Sequence, residues 1–117
     1  MNPRPRQYCL TLDLRDDEDL IREYEEFHNP GNVWPEIVES IRRDGILDMQ
    51  IYRSGVRLAM VITVSDEFSI ERKAKMDSEN PKVIEWERLM EKFQRMDEPG
   101  DSKWKSMKNI FNLQDHK

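Results

Sequence analysis

Cysteine occurs once in this 117-residue chain, at Cys9, and histidine twice, at His28 and His116. One cysteine makes no internal disulfide and no metal cluster, which suits a reducing cytoplasm. Cys9 sits inside a strand-like run and reads as a small buried apolar residue. The two histidines lie far apart, His116 in a polar tail, and no spacing argues for zinc. No apolar run approaches membrane-spanning length. Positive charge is in deficit: 19 Lys and Arg against 24 Asp and Glu give a net charge of -5. That balance argues against a nucleic-acid partner gripped by its phosphates. The opening MNPRPRQ has charge with no apolar stretch behind it, so it reads as a short mobile arm (residues 1–6) and not as a secretory signal. No internal repeat or low-complexity segment breaks the chain, and its length suits a single domain over 1–117.

Alternation and helical periodicity divide the remainder. QYCLTLDL, residues 7–14, alternates with Tyr8, Leu10, Leu12 and Leu14 on one side, which predicts a strand. Asp16 or Asp17 caps a helix that ends near His28. NPGNV is turn chemistry, Pro35 opens a second helix burying Ile37, Val38 and Ile41, and Gly45 stops it. ILDMQIYR (46–53) and VRLAMVITV (56–64) form a hairpin around Ser54-Gly55. The second strand is apolar at most positions, which predicts a central place covered on both faces. A short helix runs through IERKAKMD. Asn80-Pro81 then opens a longer one, with Val83, Trp86, Leu89, Met90 and Phe93 on its buried side. MDEPGDSK (96–103) is a polar loop, WKSMKNIFNL (104–113) a last strand, and QDHK (114–117) a tail.

The order β, helix pair, β, β, helix pair, β is the ferredoxin-like βαββαβ plan of the α+β class: an antiparallel sheet with helices on one face. The other face then needs a cover that the chain does not supply. A second copy is the simplest cover, which predicts a homodimer with sheets facing, a dimeric α/β barrel.

Chemistry concentrates in DLIREYEEFHNPGNVWPEIVESI. A helix here sets Tyr24 and His28 on one face beside Leu20 and Phe27, with Arg22, Glu23, Glu25 and Glu26 opposite. The break at Pro30-Gly31 leaves His28 near the helix C-terminus. The dipole there favours the protonated ring, which suits an acid working near neutral pH. A histidine at such a position also simply caps carbonyls or packs in a core. Trp34 reads first as a packing residue. Trp104 reads as core or dimer contact. Tyr52 shares a strand face with Asp48 and Gln50, a polar face that lines a pocket if the register holds. The methionines, Met49 among them, read as packing.

Several separated motifs carry a resemblance. YCLTLDL, Glu23 through His28, Trp34-Pro35-Glu36, Gly45-Ile46 leading to Ile51-Tyr52, and Asn80-Pro81 leading to Trp86 resemble, in order, the L-rhamnose mutarotase family. The resemblance covers roughly residues 7–113. It implies a cofactor-free, metal-free dimeric ferredoxin-like barrel that interconverts the α and β anomers of a 6-deoxy-L-hexose monosaccharide. It implies His28 as the proton donor, with Tyr24 and Trp86 contacting the sugar. The rhamnose members differ in carrying a tyrosine at Met49, a second tryptophan at Glu87, and a shorter link than residues 29–33. HNPGNVWPE and NPKVIEWERLMEKFQ are more similar to the branch acting on L-fucose. Glu87 is then expected to accept hydrogen bonds from sugar hydroxyls, against the plain alternative of a solvated helix charge. The competing class is a small-ligand binding protein or a haem or quinol monooxygenase on the same dimeric plan, with His28 as an axial ligand.

Overall fold

A computed structural model of the chain describes residues 6–95 and 104–116. The expected mobile arm, apart from Arg6, the polar loop 96–103 and Lys117 lie outside the described residues. Four strands, β1 (Arg6–Asp13), β2 (Ile46–Ser54), β3 (Arg57–Val64) and β4 (Lys105–Met107), form one sheet in the order β2-β3-β1-β4, every pairing antiparallel. Helices α1 (Glu18–Phe27) and α2 (Pro35–Arg43) fill the first crossover. Helices α3 (Ile70–Glu79) and α4 (Pro81–Glu91) follow β3. This is the α+β, ferredoxin-like arrangement expected from the sequence.

The caps explain where the helices begin. Asp17, the second of the two expected candidates, accepts from the Asp19 and Leu20 amides at 3.0 and 3.1 Å. Ser69 accepts from the Arg72 amide, and Asn80 from the amides of Lys82 and Val83. Each takes an amide hydrogen that the first helical turn leaves without a partner. Pro35 and Pro81 occupy the first turn, where the missing N–H costs nothing. Gly45 ends α2 with φ +96, and a β-carbon there would stand 2.8 Å from the Ser65 hydroxyl oxygen.

The strand alternation holds with two shifts. Leu47 is bulged out between the Ile46↔Val64 and Asp48↔Thr63 pairs, which leaves it exposed. The hairpin loop is Gly55-Val56, one residue later than expected, because Ser54 pairs with Arg57. Gly55 has φ +59, and among the described residues positive φ is confined to glycine, so Val56 keeps a negative angle. Glycine first and a negative angle second fit the type II′ turn.

β3 is central, as expected, but within one chain it is covered on one face. Leu58, Ile62 and Val64 are buried under the helices, while Ala59, Val61 and Thr63 on the other face are half-buried. Cys9 lies on that open face as well, its sulfur 3.6 Å from the Met107 sulfur, and is not the buried residue expected.

The last strand falls short. Only Lys105–Met107 pairs, against the expected 104–113. Asn109 and Asn112 turn their side-chain oxygens to the Phe111 and Gln114 amides at 3.1 and 3.2 Å. Such local bonds compete with a ladder. A 3₁₀ turn follows at Leu113–Asp115. Ile110, Phe111 and Leu113 are left in solvent, with Ile110 88% exposed.

Candidate active site

Between α1 and α4 the core is aromatic. Tyr24 on α1 is buried, and its ring lies 4.3 Å from that of His28, the residue capping the helix C-terminus. Trp86 on α4 meets His28 edge-on at 5.8 Å, Phe27 at 6.2 Å and Trp34 at 5.1 Å. Phe93, fully buried just past α4, closes the cluster from below at 5.8 Å from both Tyr24 and Phe27. The expected trio of Tyr24, His28 and Trp86 is thus brought together. The reason is local. Residues four apart share a helix face, and Trp86 lies on the buried stripe of α4 with Val83 and Met90.

His28 Nδ1 is 2.7 Å from the Tyr24 carbonyl oxygen. A carbonyl only accepts, so Nδ1 carries the hydrogen and donates it, and Nε2 keeps its lone pair. Burial holds the imidazole below its usual pKa, outweighing the hydrogen bond to the Tyr24 carbonyl, which acts in the opposite direction. This corrects the expectation drawn from the helix dipole: desolvation wins, and the resting ring is neutral at pH 7. Burial also pushes the Tyr24 phenol far above its ordinary value, so it stays protonated and serves as a hydrogen-bonding group, not a base.

Other anticipated residues divide. Trp34, first read as packing, joins the cluster through Trp86, with the Lys82 ammonium 5.8 Å from its ring centre. Half-buried Trp104 packs against the same core. Glu87, next to Trp86 on α4, is exposed. Met49 is half-buried on the helix side of the sheet, packed against Ile46, Ile62, Val64 and Phe68. Tyr52 lies with Asp48 and Gln50 on the open face, 60% exposed, so its polar face does not line the His28 cluster. His116 stacks on Phe111 in the tail. Among the described residues no cluster of three or more His, Cys, Asp or Glu side chains could hold a metal ion. Nor, among the described residues, is any helix long and apolar enough to cross a membrane.

Acidic residues on the outer side of α1 tie it down. Glu23 pairs with Lys92 at 3.1 Å, and Glu25 with Arg53. These are surface pairs worth at most about 1 kcal/mol each, but they fasten α1 to the end of α4 and to β2 on either side of the cluster.

Fold and site together define a small ferredoxin-like α+β protein with one neutral histidine held among aromatic rings. The sequence model of the L-rhamnose mutarotases matches residues 7–113. The chain is 41% identical over 111 residues to an L-fucose mutarotase of Xanthomonas campestris pv. campestris, covering 92% of this chain and 88% of that one. A UPF0734 protein of Dictyostelium discoideum is 36% identical over 91 residues, 77% of this chain and 71% of its own. The fold superposes on the crystal structure of an L-rhamnose mutarotase from Formosa agariphila with a TM-score of 0.69 at 16% identity, covering 92% and 97% of the two chains. The chain belongs to the L-rhamnose mutarotase family, and it is a sugar mutarotase of the L-fucose/L-rhamnose type.

Proposed function

We propose that this enzyme exchanges the α and β anomers of L-fucose, with L-rhamnose second, and that His28 moves the proton. The observation that carries the proposal is the 2.7 Å bond from His28 Nδ1–H to the Tyr24 carbonyl, which leaves Nε2 free beside Trp86. In the reaction, Nε2 accepts the hydrogen of the anomeric hydroxyl. The C1–O bond of the ring breaks, an aldehyde forms at C1, and the former ring oxygen takes a proton from the imidazolium. Rotation about C1–C2 and the reverse steps close the ring on the other face. A neutral ring at rest suits this order, because the first step needs a base and generates the acid for the next. Atoms and charge balance without a cofactor.

The aromatic rings suit a 6-deoxy sugar. Trp86 and Phe27 offer faces and edges to C–H groups and to the C6 methyl, and Tyr24 supplies a protonated hydroxyl. The choice of L-fucose rests on the relative at 41% identity and on two altered positions: Met49 and Glu87 stand where rhamnose members carry aromatic rings. L-Fucose and L-rhamnose differ in configuration at C2 and C4. Glu87, exposed beside Trp86, is proposed as a rim carboxylate for one of those hydroxyls. Anomer exchange on both sugars with Glu87→Gln tests this, and unchanged rates on both remove Glu87 from the site.

The functional unit is proposed to be a cytoplasmic homodimer. Its support is an uncovered sheet face carrying half-buried Cys9, Ala59 and Val61, and a tail that exposes Ile110, Phe111 and Leu113. The activity is tested by saturation-transfer NMR of anomer exchange across L-fucose, L-rhamnose, D-ribose and D-galactose, with His28→Ala as control. L-Fucose exchanging fastest supports the proposal. A rate on L-fucose equal to the uncatalysed one rejects it.

A further inference from the structure

Gln94 is 3% exposed, and its Oε1 has no hydrogen-bond partner. A buried acceptor left without a donor costs folding energy, so its persistence calls for an explanation. The backbone shows where the side chain goes. Gln94 forms an antiparallel bridge to Leu14. The bonds flank the pair: the Arg15 amide donates to Phe93 O, and the Arg95 amide to Asp13 O, each at 2.9 Å. In such a non-hydrogen-bonded pair the two side chains stand close together on one face. Leu14 is fully buried in the cluster that contains Tyr24, Trp86 and Phe93. The Gln94 amide therefore shares the helix side of the sheet with the site. The adjoining Phe93 ring touches Tyr24, and Arg15 Nε donates to the Gln94 main-chain carbonyl at 3.2 Å.

We infer that Gln94 is a specificity residue whose side-chain oxygen accepts a hydrogen bond from one hydroxyl of the bound sugar. The inference rests on the mutarotase reading above and adds a contact to it. Apart from Tyr24, His28 and the proposed rim carboxylate of Glu87, the site presents apolar rings, which cannot tell one hydroxyl configuration from another. A buried amide can, because a sugar whose hydroxyl points elsewhere leaves that oxygen unpaired.

The test compares wild type with Gln94→Met, which keeps length and burial and removes the acceptor. Anomer exchange is measured on L-fucose, L-rhamnose and analogues of each lacking one hydroxyl. The expected result is a rise in KM with kcat little changed, so that kcat/KM on the preferred sugar falls roughly tenfold to a hundredfold. Melting temperature should hold or rise, since an unsatisfied acceptor is gone. One deoxy analogue, the one lacking the contacted hydroxyl, should be handled equally by both proteins, which a merely structural role would not produce. Gln94→Leu gives the same readout if the methionine variant folds poorly. Wild-type activity with an unaffected Gln94→Met overturns this assignment alone, as does an equal slowing on every sugar and analogue. A wild type inactive on all sugars overturns the mutarotase reading and this assignment together.

Discussion

Thr11 and Leu12 are neighbours in β1, yet they face different surroundings. Leu12 is buried against Tyr24, Trp86 and Phe93, while Thr11 lies half-open on the other side of the sheet with its hydroxyl on the Leu58 carbonyl at 2.9 Å. The helix side holds nearly all the large aromatic rings and the neutral imidazole. The open side holds Tyr52 and Met107, and the tail that follows β4 leaves Phe111 65% exposed. The difference shows what chemistry asks of this fold. A dry aromatic layer holds an imidazole neutral for the proposed proton transfer, whereas the half-wet sheet face is left for the proposed partner copy.

Four substitutions sharpen that contrast. The largest effect is expected on the helix side: His28→Ala should lower anomer exchange about 100- to 10,000-fold, the usual range for a lost acid/base group, with the fold retained by circular dichroism. Phe93→Ala should next destabilise the protein by about 3–5 kcal/mol in denaturant titration, because it opens a cavity beneath Tyr24 and Phe27. Phe111→Ala, the same chemical change in the exposed tail, should cost the isolated chain less than about 0.5 kcal/mol. Phe111→Asp should instead shift the mass measured by light scattering from twice 14.1 kDa towards one chain. A protein that is monomeric before substitution, or dimeric after it, would remove the proposed cover of the open face.

The smallest expected effect is on pH. The His28 pKa is lowered in the folded state relative to the usual 6.5. The unfolded chain therefore binds the proton first as pH falls. Stability is complete above pH 6.5 and declines between 6.5 and the lower folded value. His28→Gln should flatten that decline in denaturant titrations, and a decline of equal slope in both proteins would show that the imidazole is not held neutral. In the wild type kcat/KM should fall only as pH drops through the lower folded value, where the base itself is protonated.

Much of the fold was legible in the residues, because alternation in QYCLTLDL and in the β3 run, and caps such as Asp17 and Asn80, are local signals with one structural solution. That Tyr24, His28 and Trp86 face inward was legible for the same reason, since helical spacing and a buried stripe fix it; that the three meet was implied by the family resemblance. The shortened β4 was not. WKSMKNIFNL has strand-like residues, but Asn109 and Asn112 bond their own backbone, a competition that hydrophobic pattern does not record. The protonation of His28 was misread because position near a helix end predicts the dipole, while the depth of burial appears only once α4 and Phe93 are packed against α1. Gln94 carried no sequence signal, since a polar residue after a helix ordinarily belongs to solvent. Its burial comes from pairing with Leu14, eighty residues earlier in the chain.

The most direct test of the central claim is saturation-transfer NMR on L-fucose with wild-type and His28→Gln proteins at equal concentration and pH 7.5. The account predicts rapid exchange between the two anomeric signals with the wild type and a rate near that of the sugar alone with the glutamine variant. Equal acceleration by both proteins would mean that another group moves the proton.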